Sequence, residues 1–393
     1  MNYNFDEIIN RYNTNCAKWD EASEEYGKEL IYLGVADMDF KSPKPVIKAM
    51  EKVIEHGIFG YTVLNENYFK VIQNWIKNRF NWSIQKEWIL FCPRISVAIS
   101  LIIETLTKEG DGIIVQSPGY SPMREAVVKN KRKLILNSLK LENGKYKMDL
   151  EELENKIDSS VKIFILCSPH NPVGRVWTKE ELKELSDFCI KHNLIIISDE
   201  IHSDIVYKEY KHTPIGLISD EIQERCIVCN SITKTFNVPG IITSNIIIPN
   251  EKIRNSIKKT IDKSGNHNPN IFSVPAVEAA YTECDDWLKE LLEYVEENYK
   301  YFKCYINKNM PKFKIIKPEG TYLVWIDCRE LGLKEEELED FFANKAKVGV
   351  YMGSIFGEEG KGFIRVNLGT ARENIKIALD RINVAYNTLF RRL

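Results

Sequence analysis

Four short runs in the middle of the chain are almost continuously apolar and rich in β-branched residues: IIVQSP (113–118), KIFILCSP (162–169), LIIISDE (194–200) and CIVCNS (226–231). A strand with one face in water alternates apolar and polar residues. An unbroken apolar run needs cover on both faces, which a parallel sheet between helices provides. Between the second and third runs lies TKEELKELSDFCIKHN, where Thr178 and Glu181 have the spacing of a capping box. Leu182, Leu185, Phe188 and Cys189 share one face of that helix. Strand, helix and strand make a crossover unit. The expected fold class is α/β: a mostly parallel central sheet sandwiched by helices, with a smaller α+β domain.

The second domain is expected because 393 residues exceed what one core usually supports. After Asp285 the texture changes. DWLKELLEYVEENYKYFKCYINKNM reads as one long amphipathic helix. The strand-like KIIKPEGTYLVWIDC, a helix near 334–347, GVYMG, GFIRVNLG and a C-terminal helix follow. The expected division is an N-terminal arm over 1–45 that packs with the small domain, a large domain over 46–285 and a small domain over 286–393.

Composition removes several classes of function. The 54 basic and 56 acidic residues leave a formal charge of −2, so there is no electrostatic footprint for nucleic acid. The apolar stretches are too short for a membrane span. The opening MNYNFDEIINRYNTNC lacks the basic-then-apolar order of a signal peptide, so a cytoplasmic protein is expected. Nine scattered cysteines suit reduced, buried thiols. Cys226 and Cys229 form a CxxC, but on a strand they would face opposite sides of the sheet, and four convergent metal ligands are missing. No HExxH, GxGxxG or P-loop pattern occurs.

In open α/β sheets, ligands sit beyond the carboxyl ends of the strands. At those ends the sequence sets Asn171 after the second run, Asp199 at the end of the third and Lys234 just past the fourth. A lysine amine can form an imine with an aldehyde, and a carboxylate can keep a pyridine nitrogen protonated so that the ring accepts electrons. An amide can donate a hydrogen bond to a phenolate oxygen. Together the three suit pyridoxal 5′-phosphate (PLP). Singly they have plainer readings: a strand-end Asp as a cap, a Lys as a solvated charge, an Asn as turn chemistry.

A phosphate would need donors. FCPRISVAISLIIETLTKEG reads as a turn feeding a helix from near Ser96 to Gly110, with free N–H groups near Ile95 and Ser96. Ser231 and Thr233 could add hydroxyls. The plainer reading of this segment is a capped core helix. Tyr120, in SPGYSP, could stack on a flat ring or simply fill a turn.

The strings VADMDF, FGYT, CSPHNPVGRVWTKEEL, SDEIHSDIVY, SITKTFN, EGTYLVWID and GFIRVNLGTAR resemble the fold-type I PLP enzymes. More narrowly, the chain is similar to the cystathionine β-lyase/MalY–PatB group that includes cystalysin, from about Arg11 to Arg372. The resemblance implies Lys234 as the Schiff-base amine and general base, Asp199 on the pyridinium nitrogen, Asn171 on the phenolic oxygen and Tyr120 on the ring. Arg365 would clamp the substrate α-carboxylate as a planar two-pronged donor, beside Asn171 and Tyr120. Tyr61 would reach the cofactor phosphate of the neighbouring subunit in a homodimer.

Departures from related patterns are also implied. His202 stands where aspartate-aminotransferase-like enzymes place a tyrosine, and it counts among the cofactor-binding residues. Ile242 stands where those enzymes place an arginine for the phosphate. Ser121, Met123 and Gly34 differ from the β-lyase pattern and border the expected substrate pocket. The implied activity is α,β-elimination from L-cystathionine or a related cysteine thioether, giving pyruvate, ammonia and a thiol. The alternative is an aminotransferase with the same residues. Some members of the group also regulate by contact, but neither end carries a basic extension for DNA.

Overall fold

A computed structural model of the chain describes residues 3–390. Residues 1–2 and 391–393, at the ends of the expected arm and small domain, lie outside the described residues. The main sheet has seven strands: β1 (Ile89–Cys92), β2 (Gly112–Ser117), β3 (Lys133–Ser138), β4 (Val161–Cys167), β5 (Ile195–Asp199), β6 (Cys226–Asn230) and β7 (Ser244–Ile247). Their spatial order is β1-β7-β6-β5-β4-β2-β3. Strands β2 to β6 pair in parallel, and β7 runs antiparallel to both of its neighbours.

The four apolar runs are strands of this sheet, and their alternate residues enter two different cores. Ile163, Ile165 and Ile197 pack on one face with Ile99 and Ile103 of the helix Ile95–Leu106. Phe164, Leu166 and Ile196 pack on the other with Leu182 and Leu185 of the helix Lys179–Lys191. Cys226 and Cys229 likewise fall on opposite faces. The capping box is present: Thr178 Oγ1 accepts from the Glu181 amide at 3.2 Å, and Glu181 Oε2 accepts from the Thr178 amide at 2.9 Å.

The second sheet is antiparallel, with β8 (Lys314–Ile315), β9 (Leu323–Asp327), β10 (Tyr351–Met352) and β11 (Phe363–Asn367) in the order β8-β9-β11-β10. The helices Asp285–Asn309 and Arg372–Phe390 pack against each other beside it. The strand-like stretch 314–328 holds two strands. Pro318 and a left-handed Thr321 (φ 66°) break it, and the loop between turns to the main sheet. There the Glu319 amide donates to Gly174 O at 2.8 Å and the Thr321 amide to Ile205 O at 2.7 Å.

The N-terminal segment threads between the two sheets. Ile31–Tyr32 pairs in parallel with Val348–Gly349. Asn367 Nδ2 then donates to the carbonyls of Val35 and Asp37 at 2.7 and 2.6 Å, and Asn237 Nδ2 donates to those of Met38 and Phe40 at 2.9 and 2.7 Å. Beneath it, the buried Asp39 carboxylate accepts from Lys18 Nζ (2.8 Å), Trp19 Nε1 (2.9 Å) and Arg11 Nη1 (2.7 Å). Such full pairing is what lets a carboxylate sit away from water. The backbone of VADMDF is thereby fixed, and it forms one wall of the cavity described next. Among the described residues, no helix is long and apolar enough to cross a membrane.

Candidate active site

The carboxyl ends of β4, β5 and β6 open into a cavity of about 340 Å³ whose lining includes Asn171, Asp199, His202, Lys234 and Arg365. Asp199 is the last residue of β5 and is 2% exposed. Its carboxylate accepts from the Ile201 amide at 3.2 Å. Burial pushes its pKa up to about 7, against the pull of the Ile201 amide and Lys234.

Lys234 lies in the one-turn helix Ile232–Thr235 directly after β6. Its Nζ donates to the Ala36 carbonyl at 2.7 Å. Burial lowers its pKa to about 8, aided by Arg365 and opposed by Asp37 and Asp199. A lysine so shifted carries a usable fraction of neutral amine near neutral pH.

Arg365 comes from the other sheet, in the middle of β11, and is fully buried. Nη1 donates to Asn171 Oδ1 and Nη2 to Gly34 O, both at 2.9 Å. Its guanidinium lies 4.9 Å from the ring centres of both Tyr351 and Phe356. Nε has no hydrogen-bond partner. His202, 3% exposed, leaves Nδ1 without a partner. Burial and the charges of Lys234 and Arg365 hold its pKa near 3, so the ring is neutral. Tyr120, the residue before the helix Ser121–Lys129, is partly open to the cavity.

A second hollow of about 140 Å³ adjoins the first and shares Tyr120, Asp199 and Lys234 with it. Ile95 and Ser96 begin the helix Ile95–Leu106 and line this hollow. The N-cap there is Arg94, which makes no side-chain cap, so first-turn amides remain available to an anion. Ser231 and Thr233 line it too. Ser231 Oγ donates to Thr243 O at 2.7 Å and lies 2.7 Å from Thr233 Oγ1, which leaves Thr233 as the donor in that pair. Both hydroxyl protons are engaged, and Thr233 must rotate before it can serve a phosphate.

Two expected neighbours of the site sit elsewhere. Met123 is buried in the core that also holds Ile99 and Ile103 and does not border the cavity, whereas Ser121 does. Tyr61 is fully exposed and lines a separate surface hollow of about 690 Å³ with His56 and Glu278, so it does not reach the cavity of its own chain. Three contributors went unnoticed in the sequence. Arg94 lines the second hollow, where Ile242 supplies no charge. The Ala36 carbonyl holds Lys234, and Tyr322 Oη donates to that same oxygen at 3.0 Å. A backbone acceptor has no residue-type signature. Arg94 stood in FCPRISV, where only the helix amides drew notice.

The family model for class I and II aminotransferases matches residues 28–382. The chain belongs to that family. Within the family it is 38% identical to the cystathionine β-lyase PatB of Bacillus subtilis over 384 residues, 97% of this chain and 99% of the relative. Two solved structures superpose with TM-scores of 0.96. One is a PLP-bound protein from Clostridium difficile 630 with a provisional aminotransferase name, 46% identical and covering 98% of this chain and 100% of its own. The other is cystalysin from Treponema denticola, which contains PLP, 36% identical and covering 99% of this chain and 100% of its own.

Proposed function

We propose that this class I and II aminotransferase family member is a PLP-dependent carbon–sulfur β-lyase. It would cleave L-cystathionine or a related cysteine thioether to pyruvate, ammonia and a thiol. The observation that carries the cofactor assignment is the buried Asp199 carboxylate, which forms no ion pair among the described residues and lines the same cavity as a lysine with its pKa lowered to about 8. The donor set fits the cofactor: a carboxylate awaiting a cationic partner, an amine for the aldehyde, and a helix N-terminus with Arg94 for the phosphate. Its likeness to PatB and cystalysin supports the lyase reading.

When bound through Lys234, PLP supplies an electron sink for the charge left as Cα loses its proton. Asp199 would hold a proton on the ring nitrogen and so maintain that sink. Asn171, His202 and Tyr120 would hold the ring, while Ile95, Ser96, Ser231 and, once its hydroxyl rotates, Thr233 would serve the phosphate. Arg365 binds the substrate carboxylate with Asn171 and Tyr120 beside it. Lys234, freed by the substrate amine, takes the Cα proton, and the Cβ–S bond breaks with its electron pair on sulfur. A C=C bond forms between Cα and Cβ, and the released 2-aminoacrylate hydrolyses to pyruvate and ammonia. Borohydride treatment of the yellow holoprotein, followed by peptide mapping, should place the reduced pyridoxyl group on Lys234. Finding it on another lysine overturns the assignment.

The reading includes a homodimer in which Tyr61 reaches the partner's phosphate site. Its support is the exposed apolar run Ile58, Phe59, Tyr61 and Val63. It also includes a cytoplasmic location, supported by nine unpaired cysteines. The division into an arm over 1–45, a cofactor-binding unit over 46–285 and a small unit over 286–393 belongs to the same proposal. The pairing of Ile31–Tyr32 with Val348–Gly349 supports it.

A further inference from the structure

Between β10 and β11 the chain makes two short turns, Gly353–Phe356 and Glu358–Gly360, and borders the cavity. Ile355 and Phe356 line that cavity, and Phe356 faces the Arg365 guanidinium at 4.9 Å. Phe356 also meets Trp325 edge-on at 5.6 Å. The strap is tied at three places to β2, β3 and the segment that follows β2. The Gly119 amide donates to Phe356 O at 2.9 Å, and Arg124 Nη2 donates to Ile355 O at 2.7 Å. The third tie is the Glu359 carboxylate, which accepts from the hydroxyls of Ser117 and, at 2.6 Å, Ser138.

Those serines are register partners at the carboxyl ends of the adjacent parallel strands β2 and β3. One carboxylate therefore bridges two strand ends of the large sheet from a segment of the small one. The approach is tight: Gly357 sits at φ 134°, and a Cβ there would strike the Ser117 hydroxyl. Hydrogen bonds with an ionised partner are about twice as strong as neutral ones, and this tie makes two of them where the Arg124 tie makes one. Glu359 does not line the cavity, and nothing in the proposed chemistry uses it.

We propose that Glu359 is a positioning residue for substrate, latching the strap through Ser117 and Ser138 so that Phe356 and Ile355 wall in the carboxylate-binding face of Arg365. The proposal rests on the reading of the cavity as an amino-acid site with Arg365 as its carboxylate clamp. Loosening the latch frees the strap and weakens every contact the bound amino acid makes there, in ground and transition state alike. That pattern raises KM and leaves kcat. Asp199, Lys234 and the first turn of the helix Ile95–Leu106, which would hold the cofactor, make none of these ties, so PLP content should be unchanged.

The test uses PLP-loaded holoenzyme and two probes. L-alanine, which lacks a leaving group on Cβ, is titrated against the cofactor absorbance, and L-cystathionine is used for kinetics. In Glu359→Gln the apparent Kd for L-alanine and the KM should rise about tenfold, with kcat within about twofold and full PLP content. Ser138→Ala should move both in the same direction by about threefold, and it carries the test if Glu359→Gln does not fold. Arg365→Ala is the reference. If Arg365→Ala raises the Kd but neither latch variant does, the latch is overturned and the site stands. If Arg365→Ala leaves the Kd unchanged, the reading of the site fails and the latch with it. Loss of PLP from a folded Glu359→Gln protein also overturns the proposal, because the residue would then act on the cofactor.

Discussion

Asn171 Oδ1 accepts a hydrogen bond from Arg365 Nη1 at 2.9 Å, which joins the turn after a parallel strand of the large sheet to the centre of a strand in the small one. The arginine is held from two sides, since Nη2 is spent on Gly34 O. A planar guanidinium fixed in this way presents a preset face to a carboxylate.

Removing that face should cost substrate binding first. Arg365→Ala should lower kcat/KM for α-amino acids by about thirty- to a hundredfold, mostly through KM, with cofactor absorbance intact. Steady-state kinetics alongside the visible spectrum checks this. An unchanged kcat/KM would move the carboxylate site elsewhere.

Capture of PLP by the apoprotein requires a neutral amine. With the Lys234 pKa lowered from 10.5 to about 8, the capture rate should rise with pH and level off above about 8. At pH 7 such a lysine has roughly 300 times the neutral fraction of an ordinary one. Stopped-flow absorbance across pH 6–10 reads the profile. A rate still climbing through pH 10 contradicts the shift.

Asp199 gives a second pH signature with the opposite sign. Its folded pKa lies near 7, above the ordinary 3.8, so the unfolded chain gives up the proton first as pH rises. The stability Asp199 contributes to the apoprotein is present below about pH 4 and is lost as pH climbs to about 7. Asp199→Asn should flatten that slope in denaturant titrations. In the loaded enzyme the same change should lower kcat by about a hundredfold or more while Lys234 still captures PLP. A full-speed Asp199→Asn enzyme would remove the carboxylate from the proposed chemistry.

Much of this site was legible because its residues sit where periodicity changes. Asn171, Asp199 and Lys234 each follow an apolar run, and the runs are strands whose alternate side chains fill two cores. What stayed hidden depends on contacts between distant segments. The Ala36 carbonyl is a backbone group, and the Glu359 latch needs two serines more than 200 positions away in sequence. Met123 looked like a pocket residue from its place in the motif, but its position on the helix Ser121–Lys129 turns it into the core. The stretch 314–328 read as strand-like throughout, and the left-handed Thr321 that helps divide it leaves no mark on an apolar pattern.

Tyr61, fully exposed and outside its own chain's cavity, requires a second copy to have its proposed role. Sedimentation of the holoenzyme should give a dimer, and Tyr61→Phe should speed PLP loss about tenfold, as for one charged hydrogen bond. A fully active monomer contradicts the arrangement.

Incubating the holoenzyme with L-cystathionine and no added keto acid tests the central claim most directly. Elimination needs only the Cα proton taken by Lys234 and a thiolate departing from Cβ, so pyruvate, ammonia and thiol should appear in equal amounts. If thiol release fails across a panel of cysteine thioethers, while amino-group transfer to an added keto acid proceeds, the enzyme is an aminotransferase and the lyase account is wrong.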